Sequence, residues 1–213
     1  MNTEIKRIKY ADTTLPERMI FPGGTDRAVP IIFSVFLVRS GKQTVLVDAG
    51  CETMPGFTMR NFATPMAVLE EQGIKPSEIT DVILTHAHHD HIECVRYFPQ
   101  ANIHIQQEAL EEGQAYLTEN PHIHPFDSEK QVAEGVRVVH IGGHARGSCV
   151  VECETDGKTT VLCGDECYQF INLERQLPSG SVISEAKSRA FVEKYGNKPY
   201  VCLLCHQDGA YSG

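Results

Sequence analysis

The segment Thr85-His86-Ala87-His88-His89-Asp90-His91 places four potential metal ligands, His86, His88, Asp90 and His91, within six residues. Imidazole nitrogens and a carboxylate suit a borderline cation such as zinc, and a catalytic zinc keeps one coordination position open for water. A histidine-rich tract can also be a solvated surface cluster. Here it follows Asp81-Val82-Ile83-Leu84-Thr85, which reads as a buried strand, so the ligands fall in a loop at a strand's C-terminal end. Open α/β sheets carry their sites there. Three more residues of ligand type share that context: His144, Asp165 and His206 each follow an apolar, strand-like stretch. Any one of them alone would be an ordinary turn or capping residue. Their common placement predicts convergence on one edge of a sheet.

The elements that must position them alternate along the chain. Residues 31–38 and 44–48 read as a hairpin around Ser40-Gly41-Lys42. Residues 62–72 have helical spacing, with Gly73 as a C-cap. A helix begins near Asp90, followed by a strand over 102–106 and a helix over 107–117. Pro121 and Pro125 mark 118–130 as a loop. Strands over 136–141, 148–154 and 159–163, a helix over 184–195 and a strand over 200–204 complete the order. Two sheets, each backed by helices, are the natural packing of such a series. No linker interrupts it, so residues 1–213 read as a single α/β domain.

The composition, 41% hydrophobic and 22% charged, is that of a globular protein. A formal net charge of −9 argues against nucleic-acid or anionic-membrane partners, because phosphate binding needs clustered Lys and Arg. No stretch approaches a membrane span, and the start of the chain, Met1 to Lys6, lacks the apolar core of an export signal. The eight cysteines therefore read as reduced thiols of a cytoplasmic protein. Cys202-Leu203-Leu204-Cys205-His206 matches the pattern of covalent haem attachment. It lies inside an apolar strand-like run, where cysteine serves as a small hydrophobe.

Taken in order, these residues closely resemble the signature of the metallo-β-lactamase superfamily: His-x-His-x-Asp-His, then a histidine, a bridging aspartate and a last histidine. The resemblance runs from Val47-Asp48-Ala49-Gly50 to His206. It implies a four-layer αββα sandwich with two divalent metal ions, zinc in the first instance, iron or manganese as alternatives. His86, His88 and His144 would hold one metal, Asp90, His91 and His206 the other, with Asp165 bridging. Asp48 would orient a ligand imidazole. A hydroxide held between two metals is a nucleophile at neutral pH.

Within the superfamily, His88 stands where the diiron electron-transfer relatives carry glutamate, which favours hydrolysis. Glyoxalase II-like thioesterases share the ligand set but continue into a helical region after the last histidine; here Gln207 to Gly213 follow. The resemblance is closest to the N-acyl-homoserine lactonase branch. It rests on Ala28-Val29-Pro30-Ile31-Ile32, on Gly73-Ile74-Lys75-Pro76-Ser77-Glu78, and on Tyr168 three residues after Asp165. It implies a small-molecule lactone or ester as substrate, with Tyr168 hydrogen-bonding the lactone and Asp90 or Tyr168 assisting the leaving alkoxide. A thioesterase of the glyoxalase II type and an iron-dependent, non-hydrolytic sulfur oxygenase are the alternative readings. The oligomeric state is left open.

Three departures from the branch stand out. Ile92-Glu93-Cys94 replaces a small Ala-Gly-Gly, Arg146 replaces a proline, and the chain is shorter. Among the other histidines, His89 reads as a residue facing solvent or substrate, His104 and His140 as packing residues, and His122 and His124 as rim residues on a loop. Residues 54–59 read as an apolar lip of the pocket.

Overall fold

The computed structural model describes residues 3–118 and 120–213. Met1, Asn2 and Glu119, on which the readings of the N-terminus and of the 118–130 loop partly fall, lie outside the described residues. The first sheet has strand order β1 (Glu4–Pro16), β2 (Ala28–Ser40), β3 (Gln43–Val47), β4 (Asp81–Leu84), β5 (Asn102–Gln106) and β6 (Ile123–Phe126). The second has the order β12 (Tyr211–Ser212), β11 (Val201–Leu203), β10 (Lys158–Leu162), β9 (Cys149–Thr155), β8 (Val136–His140) and β7 (Glu129–Ala133). Helices α1 (Glu17–Ile20), α2 (Pro65–Glu71), α3 (His89–Ile92), α4 (Gln107–Leu117), α5 (Phe170–Glu174) and α6 (Glu185–Tyr195) join them.

The alternation of side chains along each strand produces the layers. Val35 and Leu37 of β2, Leu46 of β3 and Val82 and Leu84 of β4 pack with Leu69 of α2 and Leu117 of α4 in an outer core. Their neighbours Phe36, Val38, Val45, Val47 and Ile83 face the other way and meet Val138, Val151 and Leu162 of the second sheet. Beyond that sheet, Val150, Val161 and Cys202 pack against Phe191 and Tyr195 of α6. The result is the αββα sandwich. Strands buried on both faces read as continuous apolar runs, which is why they were legible in the sequence.

Strand direction then decides where the site lies. β3, β4 and β5 run parallel. β8 is antiparallel to β9 and β9 to β10, so β8 runs with β10, and β11 is parallel to β10. The C-terminal ends of β3, β4, β8, β10 and β11 therefore share one edge. Backbone bonds from Cys149 N to Thr85 O (2.8 Å) and from Ile32 N to His206 O (3.1 Å) tie the sheets together there.

Some elements differ from expectation. Strand β1 occupies a stretch where the sequence suggested no element; a register shift between Lys9 and Ala11 breaks the alternation that would mark it. Strand β6 lies in the expected 118–130 loop, with Pro125 tolerated because β6 is an edge strand bonded only to β5. Helix α2 starts at Pro65 rather than residue 62, because Thr64 caps it by accepting from Ala67 N. The helix expected near Asp90 is a single turn, α3, followed by 3₁₀ structure over Glu93–Tyr97. No described helix is long and apolar enough to cross a membrane.

Candidate metal centre

The loops after β4, β8, β10 and β11 bring six of the seven candidate ligands into two groups of donor atoms, and Asp90 lies beside the second group but outside it. Asp165 belongs to both groups. His86, His88, His144 and Asp165 make one group; His91, Asp165, Cys205 and His206 make the other, with the donor atoms of each within 4.8 Å of one another. Asp165 divides its oxygens between them. Oδ2 lies 3.8 Å from His86 Nε2 and 3.5 Å from His144 Nε2. Oδ1 lies 3.1 Å from His91 Nε2 and 2.9 Å from His206 Nε2. His88 Nδ1 faces His144 Nε2 at 2.9 Å. The Asp90 carboxylate stands 3.5 Å from His91 Nε2 and 3.9 Å from His206 Nε2.

The orientation of the imidazoles tests whether this set fits metal ions. His144 Nδ1 meets Ser181 O at 2.7 Å, and His206 Nδ1 meets Ile32 O at 2.9 Å. A carbonyl oxygen only accepts, so both Nδ1 atoms carry hydrogen and both Nε2 atoms face inward, each offering a lone pair when its ring is neutral. His91 Nδ1 is held by Asp48 Oδ2 at 2.8 Å. His86 Nδ1 lies 3.1 Å from Thr85 Oγ1, whose own hydrogen goes to Asp48 Oδ2. Buried His86 Nε2 and His91 Nε2 make no aligned hydrogen bond, although Asp165 Oδ1 lies 3.1 Å from His91 Nε2. Burying such atoms without a partner is costly, and a pair aimed at one carboxylate fits a metal-ion cluster. The donor set is imidazole and carboxylate, with the Cys205 sulfur beside the second group and kept as a thiol by burial, and it fits zinc, iron or manganese.

Charge supports the same reading. Burial pulls the pKa of His86 well below the ordinary histidine range, leaving a free lone pair at neutral pH. At His91 burial acts in the same direction, but Asp165, Asp90 and Asp48 outweigh it and hold the pKa well above. The negative charge that favours a proton on that nitrogen favours a cation equally. Burial would raise the Asp165 carboxyl, yet His91 and His206 hold it well below the usual carboxylate range.

Asp48 is the orienting group. It sits at φ 63°, in the left-handed region that aspartate tolerates better than most residues. Its carboxylate takes the Thr85 amide at 2.8 Å and the His91 ring together. Asp48→Asn keeps the backbone and one acceptor but removes the charge behind His91. Metal affinity, measured by competition with a chelator, should fall about ten- to a hundredfold.

Tyr168 lies against the cluster, its hydroxyl donating to Asp165 Oδ2 at 3.0 Å and its ring stacked on His206 at 5.1 Å and 16°. It lines a cavity of about 290 Å³ with His88, Asp90, His144, Asp165 and His206, walled by Leu15, Met19, Ile31, Phe33, Met54 and Phe57. Residues 54–59 thus form the expected lip in part, through Met54 and Phe57.

Other expectations resolve differently. His122 and His124 are not on the cavity rim: His124 sits on β6, stacked on His104 at 5.5 Å. His104 is a packing residue bonded to Asp81 Oδ1 at 2.8 Å. His89 faces the cavity but is tied to protein groups. The haem-like pentapeptide places Cys202 in the outer core and Cys205 between the sheets, so the thiols point to opposite faces, and both are buried. A covalent haem needs both on one side.

Sequence reasoning missed two residues. Cys205 Sγ lies beneath the Asp165 carboxylate, 3.4 Å from Oδ1 and 3.3 Å from Gly164 O. Glu166 Oε1 accepts from Gly143 N at 3.0 Å, His144 N at 3.2 Å and the Ser148 hydroxyl, fixing the His144 loop. Cys205 is marked in the sequence by the haem-like pentapeptide alone, and Glu166 carries no motif.

The family model of the Metallo-beta-lactamase superfamily matches residues 31–190. The N-acyl homoserine lactonase AiiB of Agrobacterium fabrum is 25% identical, with 89% of this chain and 88% of that protein covered. An N-acyl homoserine lactonase of a Bacillus species is 28% identical, covering 55% of this chain and 50% of its own. Among solved structures, an N-acyl homoserine lactone hydrolase with N-hexanoyl-L-homoserine at its catalytic metal center superposes with a TM-score of 0.82 at 17% identity, covering 97% of this chain and 94% of that one. AidC, a dizinc quorum-quenching lactonase, superposes with a TM-score of 0.77 at 16% identity, covering 96% and 87%. At that identity, structural likeness establishes the shared fold.

Proposed function

Because this chain belongs to the metallo-β-lactamase superfamily, we propose that it is a metal-dependent hydrolase that opens the ring of a lactone of the N-acyl-homoserine type. The observation that carries the reading is the placement of Asp165 between two groups of inward-facing imidazoles, with a phenol and an apolar wall around the same cavity. His86, His88 and His144 would hold one divalent ion, His91, His206 and Asp90 a second, and Asp165 would bridge them. Zinc is the first candidate, iron or manganese the next. Two ions there would supply a water-derived nucleophile at neutral pH and polarise the ester carbonyl.

The protein's own groups do the rest. Burial opposes ionisation of Asp90, but His91 outweighs it and keeps the carboxyl below its usual range. An ionised carboxylate at the cavity can accept a proton from water and return it to the departing ring oxygen. Burial, and then the Asp165 charge, push the Tyr168 phenol well above its ordinary pKa. It therefore keeps its proton, and with Asp165 engaged by a cation its single O–H would turn from Asp165 Oδ2 to donate to the lactone. The six apolar wall residues exclude water beside the acyl part of the substrate and favour a neutral, apolar chain.

The test is a panel of homoserine lactones, thioesters and β-lactams, assayed with metal analysis on one preparation. The expected result is two equivalents of metal and the highest kcat/KM on a lactone. Hydrolysis confined to thioesters, or a single iron with no hydrolysis, would overturn the reading.

A further inference from the structure

The cavity wall contributed by Met54 and Phe57 is irregular chain, and it is fastened by the α3 turn that carries the ligand cluster. Two fastenings hold its start. Glu93, at the end of α3, accepts the Glu52 amide on Oε2 at 2.6 Å. Arg96 binds the carboxylates of both Glu93 and Glu52, and Tyr97 donates to Glu52 Oε1 at 2.8 Å. One residue on, Thr53 O meets His89 Nε2 at 2.9 Å. That carbonyl only accepts, so Nε2 carries hydrogen, while His89 Nδ1 meets the Tyr116 hydroxyl of α4 at 2.9 Å. Both ring nitrogens are occupied, which is why His89, flanked by ligands, stays out of the donor groups. Past the wall, Thr58 O is held by Thr13 Oγ1 at 3.0 Å. The Met54–Phe57 stretch is thus suspended between fixed ends, with its own bond from Phe57 N to Met54 O at 3.0 Å.

From this geometry we infer that Glu93 and His89 are positioning residues that set the chain-length selectivity of the cavity by fixing the Met54–Phe57 wall. The inference rests on the lactonase reading for its substrate. A rigid apolar wall discriminates chain length because each methylene gains or loses contact at a defined place; a loose wall adapts and discriminates less. Glu93 does not line the cavity, so it acts only through the loop.

The experiment compares wild type, Glu93→Ala and Glu93→Gln by metal analysis, by amide hydrogen exchange over residues 52–58, and by kcat and KM on short- and long-chain homoserine lactones. In Glu93→Ala the loop amides should exchange faster with metal content unchanged. The long-chain KM should rise about tenfold relative to the short-chain KM, the scale on which a hydrophobic pocket reads a methylene, with kcat nearly constant. Glu93→Gln keeps a carbonyl to accept the Glu52 amide and should restore most of the difference. Should Glu93→Ala fold poorly, Tyr116→Phe removes the hydroxyl that fixes His89 and should shift exchange and KM in the same direction, by less. Unchanged loop exchange and an unchanged KM ratio in the folded variant would overturn the proposal, as would an equal loss of kcat on both substrates. If the wild type opens no lactone, the lactonase reading fails and the selectivity role falls with it; the exchange arm still decides whether Glu93 holds the wall.

Discussion

Asp165→Asn is expected to remove metal occupancy and hydrolysis together, with a loss of activity on the order of a thousandfold, the upper range for removing one electrostatic contact to a transition state. The reason is geometric and electrostatic at once. Each oxygen of Asp165 serves a different group of imidazoles, so one substitution weakens both positions. Asparagine keeps the shape and loses the charge. Its amide nitrogen would also donate to an imidazole lone pair that a metal would otherwise take, and its N–H dipole is repulsive to a cation. Metal analysis after dialysis, with circular dichroism to confirm the fold, reads the outcome. A variant that retained two tightly bound metals and full activity would refute the bridging role.

Tyr168→Phe should leave metal content and fold intact and slow lactone opening by about a hundredfold, the lower range for positioned proton donation. The phenol is buried, held above its ordinary pKa first by burial and then by Asp165, and lies at the cavity surface. A drop confined to kcat would mean that its hydrogen bond strengthens in the transition state; a rise in KM alone would mean that it positions substrate. In the wild type the phenol should remain a donor through about pH 10, where an ordinary tyrosine ionises. An unaltered rate in Tyr168→Phe would leave Tyr168 as a ring packed on His206.

Much of this protein was determined by local sequence. His86, His88, Asp90 and His91 were legible because a compact motif follows a strand, and His144, Asp165 and His206 because each ends an apolar run. The layered fold was legible for the same physical reason: strands buried on both faces must be apolar throughout, and helices between them must show a stripe. Strand β1 escaped because its register shift breaks the alternation, and β6 because proline reads as loop unless the strand is known to be an edge.

Only the tertiary structure decided how the site is oriented. His144 and His206 are aimed by the main-chain carbonyls of Ser181 and Ile32, and a carbonyl is the same at every residue, so no motif announces it. Asp48 acts through a left-handed backbone that sequence does not specify for aspartate. In the sequence Glu93 is marked only as part of Ile92-Glu93-Cys94 in place of small residues, and His89 as a residue facing solvent or substrate. Their contacts come from a loop 41 and 36 residues earlier in the chain, brought within hydrogen-bond reach. Residue types thus determined which chemistry was present. Which lone pair faces which oxygen depended on contacts between segments distant in sequence, and those exist only once the sheets have closed on each other.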